Sequence, residues 1–229
     1  MKCFLRSLGT GIGKTMPQNT REELVCEVRD QGGDTANNRG YQSRVALPFH
    51  SDTADVLGLL CVKSARLGGE SALVSSLRIY ETLAQDRPDL LEVLKTGFCY
   101  AYPDAQGRVT ERIPVFGLQD GVVSCRYLRA FIEAAGSLSP SEVEALDAFD
   151  EIANAHGMAF NLQMQPGDLL LVNNYTVLHS RTAFEDHDDL DQRRLLLRLW
   201  LNISEFRPLP PLVAHQAERY AARVVESAT

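Results

Sequence analysis

Leu47-Pro48-Phe49-His50-Ser51-Asp52 is the stretch on which the reading of this chain turns. Residues 44–49 have the composition of a strand, and the strand runs directly into an imidazole and a carboxylate two positions apart. On extended backbone, side chains two apart project from the same side, so His50 and Asp52 can reach one common point. The pair alone is weak evidence. Five His and 15 Asp in 229 residues generate roughly 0.3 His-x-Asp occurrences by chance. A second one does occur, His187-Asp188-Asp189, inside the acidic stretch 185–191, where Leu190 is the one apolar residue and a solvated loop is expected. Taken alone, His50 reads as a hydrogen-bonded histidine at a strand end.

Residues downstream change that balance. His179 lies on an apolar strand expected at 175–180, just after Asn173-Asn174, and Arg193-Arg194-Leu195-Leu196-Leu197-Arg198-Leu199-Trp200 follows. On a strand Arg194 and Arg198 share a face and Arg193 points away. Two guanidinium groups on an apolar strand are costly unless an anion meets them. A protein carboxylate could be that anion, as a buried ion pair; the functional alternative is a ligand carboxylate gripped by a planar fork. Two imidazoles and one carboxylate with open coordination positions form the donor set of a non-haem Fe(II) oxygenase. With the arginines for a dicarboxylate co-substrate, the pattern points to iron- and 2-oxoglutarate-dependent oxidation.

Around these motifs the chain reads as many short strands with a few covering helices, a β-sandwich or barrel. Further strands are expected at 56–62, 71–74, 159–163, 168–172 and 194–203, with 97–102 and 109–115 paired across a turn at 103–107. Helices are expected at 76–85 and 88–95, and a last one at 213–225. Ser139-Pro140-Ser141-Glu142 marks a helix start, and Val143, Leu146, Phe149 and Ile152 carry one apolar face to about residue 156. Residues 1–37 form a poorly patterned N-terminal segment ahead of a domain at 38–229. One element is expected at 23–29, with helix and strand undecided.

Composition bounds the partners. Net charge of -7 argues against a nucleic-acid or anionic-membrane surface. Five cysteines without a CxxC pair fit reduced thiols in the cytoplasm. The first fifteen residues make a poor secretory signal, and no apolar run is long enough for a membrane span. A small-molecule substrate is expected, and self-association into a homo-oligomer is left open.

Asn38-Arg39-Gly40-Tyr41, Leu47 through Asp52, Gly68-Gly69-Glu70-Ser71, Pro166-Gly167-Asp168, Leu178-His179-Ser180-Arg181 and Arg194 through Leu201 occur in this order. In that combination the chain resembles the taurine dioxygenase-like and clavaminate synthase-like Fe(II)/2-oxoglutarate oxygenases over about residues 38–205. The resemblance implies a double-stranded β-helix, or jelly roll, in which His50, Asp52 and His179 bind Fe(II). It implies that 2-oxoglutarate chelates the iron through its 2-oxo acid end while its far carboxylate meets Arg194 and Ser71. Arg198 corresponds to a second arginine that holds either 2-oxoglutarate or a substrate anion. Halogenating relatives carry a small residue in place of the carboxylate, so Asp52 argues for oxygenation. Members of the family commonly have more chain before the Asn-Arg-Gly-Tyr segment.

The expected activity is hydroxylation or desaturation of a small, amino-acid-like metabolite, with O₂ consumed and CO₂ and succinate released. Adjacency to the ligand strands nominates Tyr41, Arg44, Asn174 and Arg181 as substrate contacts. Two other readings use the same residues. One is a non-catalytic metal-binding jelly roll or regulatory partner; the other is a metal-dependent hydrolase or isomerase that has no need of Arg194. Gly9-Thr10-Gly11-Ile12-Gly13-Lys14-Thr15 mimics a phosphate loop, but Leu8 stands where that motif needs glycine. Trp200 reads as core, and His156 and His215 as ordinary packing or surface histidines.

Overall fold

A computed structural model describes residues 1–19, 21–32, 40–101, 108–203 and 206–214. In chain order the elements are α1 (Lys2–Thr10), β1 (Lys14–Thr15), β2 (Val25–Val28), β3 (Leu47–His50), β4 (Val56–Lys63), β5 (Leu67–Gly68) and β6 (Ser71–Ser75). Next come α2 (Ser76–Asp86), α3 (Pro88–Thr96), β7 (Phe116–Gln119), β8 (Val122–Cys125), α4 (Arg129–Glu133) and α5 (Pro140–Ala153). The chain then returns to strands: β9 (Ala159–Leu162), β10 (Leu169–Asn173), β11 (Val177–Arg181), β12 (Phe184–Glu185) and β13 (Leu195–Asn202).

Two antiparallel sheets form the body. One has the order β1-β13-β4-β10, with β2 also paired to β13; the other runs β3-β11-β6-β9. This is the jelly roll. Strand β13 explains why its sequence is apolar at nearly every position. Leu197, Leu199 and Leu201 pack with Leu5 of α1, Val25, Val56 and Leu60 on the outer side. Leu196 and Trp200, of opposite parity, join clusters with Val28, Tyr41 and Met164, and with Met16, Leu57 and Val172. A strand covered on both faces loses its polar alternation. Helices α2, α3 and α5 and the β7–β8 hairpin bury Ile79, Leu94, Phe116, Leu146 and Phe149 in a fourth cluster that also takes Phe49, Val74 and Leu178.

The expected strands at 56–62, 71–74, 159–163, 168–172, 175–180 and 194–203 all form, as do the three helices expected before residue 160. The strand expected at 44–49 starts later, at Leu47. Upstream, the Ser43 and Val45 carbonyls accept from the Arg181 side chain, so they are unavailable to a ladder. The pair expected at 97–102 and 109–115 is reduced to two isolated antiparallel bridges, Phe98 to Ile113 and Ala101 to Val109. Its turn at 103–107 lies outside the described residues, as do Asn38, Arg39, His215 and most of the helix expected at 213–225.

The element at 23–29 resolves to strand β2. With β1 it edges the main sheet by pairing with β13. The glycine-rich decoy is a helix end packed on β13: a Cβ at Gly9 would sit 2.4 Å from Leu199 Cδ2. Close approach of α1 to the sheet, and not phosphate binding, accounts for that glycine.

Helix α5 starts as its sequence predicts. Ser139 Oγ accepts from the Glu142 amide, the Glu142 carboxylate accepts from the Ser139 amide at 2.8 Å, and Pro140 occupies the first turn. Ser139→Ala is expected to lower unfolding stability by about 1 kcal/mol, read as a shifted urea midpoint with an unchanged slope.

Candidate functional site

Antiparallel pairing of β3 with β11 sets His50 directly opposite His179. The same pairing sets Leu47 opposite Arg181, so β3 spends three steps where β11 spends two. This bulge contains Pro48, on a strand at the sheet edge, where a missing amide is tolerated. The Pro48 carbonyl accepts from His50 Nδ1 at 2.8 Å, which leaves Nε2 as the ring's donor atom. The His50 and His179 ring centroids are 4.2 Å apart.

Asp52 lies two residues past the end of β3, so its side chain is aimed by its neighbours and not by strand alternation. Its amide donates to Asn174 Oδ1 at 3.2 Å, and its carbonyl accepts from Arg126 Nη1. Oδ2 accepts from the Trp200 indole at 2.8 Å and lies 3.6 Å from Arg198 Nη1 and 3.9 Å from His179 Nε2. One ligand atom from each of His50, Asp52 and His179 falls within 4.8 Å of the others. Burial presses upward on the Asp52 carboxyl, but Arg198, both imidazoles and the indole outweigh it, leaving its pKa lowered to about 2. Burial, and next His50, drive His179 down to about 3 against the pull of Asp52. At neutral pH the His179 imidazole is therefore neutral and the Asp52 carboxylate anionic. That is the protonation state a divalent transition metal requires, so the residues fit such an ion.

Two cavities meet at this cluster, and His50, Asp52, Tyr41 and Arg198 line both. The smaller, about 50 Å³, also takes in Ser71, His179, Arg181 and Arg194. Arg194 is 3% exposed, and its Nη1 is buried without a hydrogen-bond partner. Its guanidinium lies 5.0 Å above the Phe184 ring, and burial pushes its pKa down to about 10, so it remains a cation. Gly69 makes room for it: at φ +73°, a Cβ would come 3.1 Å from Arg194 Nε. The larger cavity, about 240 Å³, has walls from Leu47, Leu128, Phe131 and Trp200, with Arg129 as an added polar group.

The structure thus gathers His50, Asp52, His179, Ser71, Arg194, Arg198, Tyr41 and Arg181 around one junction. Arg198 is clamped there: Nε donates to Gln18 Oε1 at 2.7 Å, and the guanidinium lies 4.7 Å from both the Tyr41 and Trp200 rings. Arg44 is exposed and Asn174 fully buried, and neither lines either cavity. Asn174 spends its amide on the Asp52 loop, with Nδ2 donating to the Ala54 carbonyl at 3.0 Å. The decoy His187 is outside the cluster; its carbonyl accepts from Arg193 Nε.

Trp200, Gln18, Arg126, Arg129 and Phe131 were not foreseen here. Trp200 follows Arg198 at strand spacing on the same face, which was the available signal. The others come from stretches without periodicity.

A family model, taurine catabolism dioxygenase TauD, TfdA family, matches residues 2–200. FR-33289 synthase of Streptomyces rubellomurinus is 37% identical over 217 residues, 89% of this chain and 64% of that protein. Human gamma-butyrobetaine dioxygenase is 25% identical over 166 residues, 66% of this chain and 43% of that protein. The chain therefore spans less than two thirds of the length of these relatives. Among solved structures, asparagine oxygenase with Fe(II), hydroxyasparagine and succinate superposes with a TM-score of 0.72 at 22% identity, covering 87% of this chain and 63% of the other. The non-heme iron oxygenase OrfP with Fe and alpha-ketoglutaric acid gives 0.66 at 16% identity, covering 87% and 63%. At these identities the structural likeness establishes the fold.

The lowered pKa values of Asp52 and His179 fix how acid acts on the metal-stripped protein. The folded chain resists protonating His179 between its ordinary value of 6.5 and about 3, and Asp52 between 3.8 and about 2, whereas the unfolded chain does not. Stability should fall as pH drops through these windows. His179→Gln is expected to flatten the decline between pH 6.5 and 3, measured as urea midpoint against pH in the presence of a chelator.

Proposed function

This chain belongs to the TauD/TfdA taurine catabolism dioxygenase family, and from that premise we propose that it is an Fe(II)- and 2-oxoglutarate-dependent dioxygenase. It hydroxylates or desaturates a small, amino-acid-like metabolite, releasing CO₂ and succinate. The observation that carries this reading is the placement of three ligand atoms within 4.8 Å of one another at the meeting of two cavities, one of which holds a buried arginine with an unmatched N–H. Among the described residues, no carboxylate forms an ion pair with Arg194. An anion supplied from outside removes that deficit, and a dicarboxylate with one end at the metal is the anion the geometry suits.

His50, Asp52 and His179 would hold Fe(II), and Arg194 with Ser71 would hold the far carboxylate of 2-oxoglutarate. When bound, iron, 2-oxoglutarate and O₂ supply the oxidising chemistry. The chain's own contribution is positional. Pro48 and Trp200 fix the faces that His50 and Asp52 turn to the metal, and Asn174 and Arg126 hold the Asp52 backbone. The apolar walls at Leu47, Leu128 and Phe131 keep water from the junction. Arg198, clamped by Gln18 and facing the larger cavity, would take the acid group of the substrate. An amino-acid-like substrate agrees with the butyrobetaine and asparagine in the names of two similar proteins. Five cysteines without a disulfide fit a cytoplasmic setting.

Anaerobic addition of Fe(II) and then 2-oxoglutarate is expected to produce a weak visible charge-transfer band, and air is expected to convert 2-oxoglutarate to succinate. His179→Ala should abolish both while leaving the circular dichroism of the fold intact; loss in His187→Ala and not in His179→Ala would move the site. A protein that binds the metal but forms no succinate with any substrate would be the non-catalytic jelly roll. Arg194→Lys keeps the charge and loses the fork, so 2-oxoglutarate affinity should fall by about 1.5–3 kcal/mol in calorimetry.

A further inference from the structure

Arg194 does not stand alone in the smaller cavity. Arg181, 6% exposed, lines it too, and its guanidinium lies 4.9 Å from the Phe184 ring that Arg194 approaches at 5.0 Å. Two buried cations thus share one aromatic ring, and their centres are within about 10 Å of each other. Arg181 Nη2 donates to the Ser43 and Val45 carbonyls, while its Nε and Nη1 are buried with no partner. Among the described residues no carboxylate comes within ion-pair distance of either guanidinium. Asp30 attracts Arg181 and Asp186 attracts Arg194 only from beyond ion-pair distance, one Asp186 oxygen accepting from the Arg194 amide at 2.7 Å.

Tying two backbone carbonyls needs a donor, not a charge, and a neutral amide would do it without setting a buried cation against another. A buried like-charged pair is retained at a cost that an incoming anion can offset. Ladder register places Arg181 opposite Ser71, itself in the same cavity, so the position belongs to the anion end of the site. We propose that Arg181 is a second charge determinant of the co-substrate pocket, one that makes the site select a 2-oxo acid ending in a carboxylate over one of equal length ending in a methyl group. A guanidinium keeps its charge throughout the neutral range, so Arg181 is a cation here. This inference rests on the reading of the site as a 2-oxoglutarate pocket.

The test compares 2-oxoglutarate with 2-oxopentanoate, which keeps the chain length and the iron-chelating end but lacks the far carboxylate. Binding of each to the anaerobic Fe(II)-loaded protein is measured by calorimetry. Arg181→Gln is expected to weaken 2-oxoglutarate about tenfold, the scale of one unit charge about 10 Å away at the effective dielectric of a protein. The same variant should leave 2-oxopentanoate within about twofold, and Arg181→Lys should restore most of the selectivity. Equal losses for both ligands, or no loss for either, would overturn the proposal and leave Arg181 a backbone tie. Should Arg181→Gln not fold, the Arg194→Gln protein carries the test: a retained preference for the dicarboxylate supports a second cation, and loss of all preference overturns it. Failure of the unaltered protein to bind 2-oxoglutarate at all would instead refute the site reading on which this inference rests.

Discussion

The opposition of His179 and His50 across the β3–β11 ladder is the constraint from which the site follows. Strand β11 is paired on both sides, so the register that faces His179 to His50 also faces Arg181 to Ser71 on β6. A slip of one residue would turn every one of these side chains to the opposite face. The His50–Asp52–His179 cluster and the Arg181–Ser71 pair are thus set by one strand, and the buried Leu178 just before His179 holds that register by packing into the helical side of the core. The bulge at Pro48 is the local departure from regularity, and it re-aims His50 while its carbonyl selects the ring nitrogen left for coordination.

Charge burial is distributed unevenly around this frame. Asp52 is over-determined: a cation, an indole N–H and two imidazoles surround it, and its own backbone is held at both polar groups. That arrangement keeps the carboxylate ionised and in place before any ligand arrives, so little reorganisation is left for metal binding. On the opposite side of the junction Arg181 and Arg194 are under-compensated, with buried N–H groups unmatched. A carboxylate held on every side beside two cations with unmatched N–H groups is an arrangement in which an incoming anion has the most to offset on the arginine side.

Legibility followed periodicity. His50, His179, Arg194 and Arg198 could be read because each sits on or beside a recognisable apolar strand, and Asp52 because it follows His50 at a spacing of two, although its neighbours and not the strand aim it. The covering helix α5 was readable from its capping box. Arg126, Arg129 and Phe131 were not, because the stretch from β7 to α4 offers only four- and five-residue elements, too short to show a period. Asn174 misled for a different reason. Adjacency to His179 nominated it for a substrate, but side chains next to a site as often serve its backbone, and here the amide is fully buried between Asp52 and Ala54. Residue 1–37 patterning was weak because α1 contributes mainly Leu5 and Gly9 to the interior while leaving Phe4 and Leu8 exposed.

That weakly patterned segment is nonetheless wired to the chemistry. Strand β13 must bury both faces: the inner one carries Arg198 and Trp200 to the metal cluster, and the outer one carries Leu197, Leu199 and Leu201. Without α1 over the outer leucines, the strand that positions Arg198 would present an apolar stripe to water. Gln18, between β1 and β2, completes the link. Its Nε2 donates to the Leu24 and Arg198 carbonyls, and its Oε1 accepts from Arg198 Nε. A fully buried amide thus locks backbone and guanidinium of the same arginine. The residues before the jelly-roll motifs therefore act on the site twice, once through the leucine face and once through Gln18, and the site is incomplete as a rigid object without them.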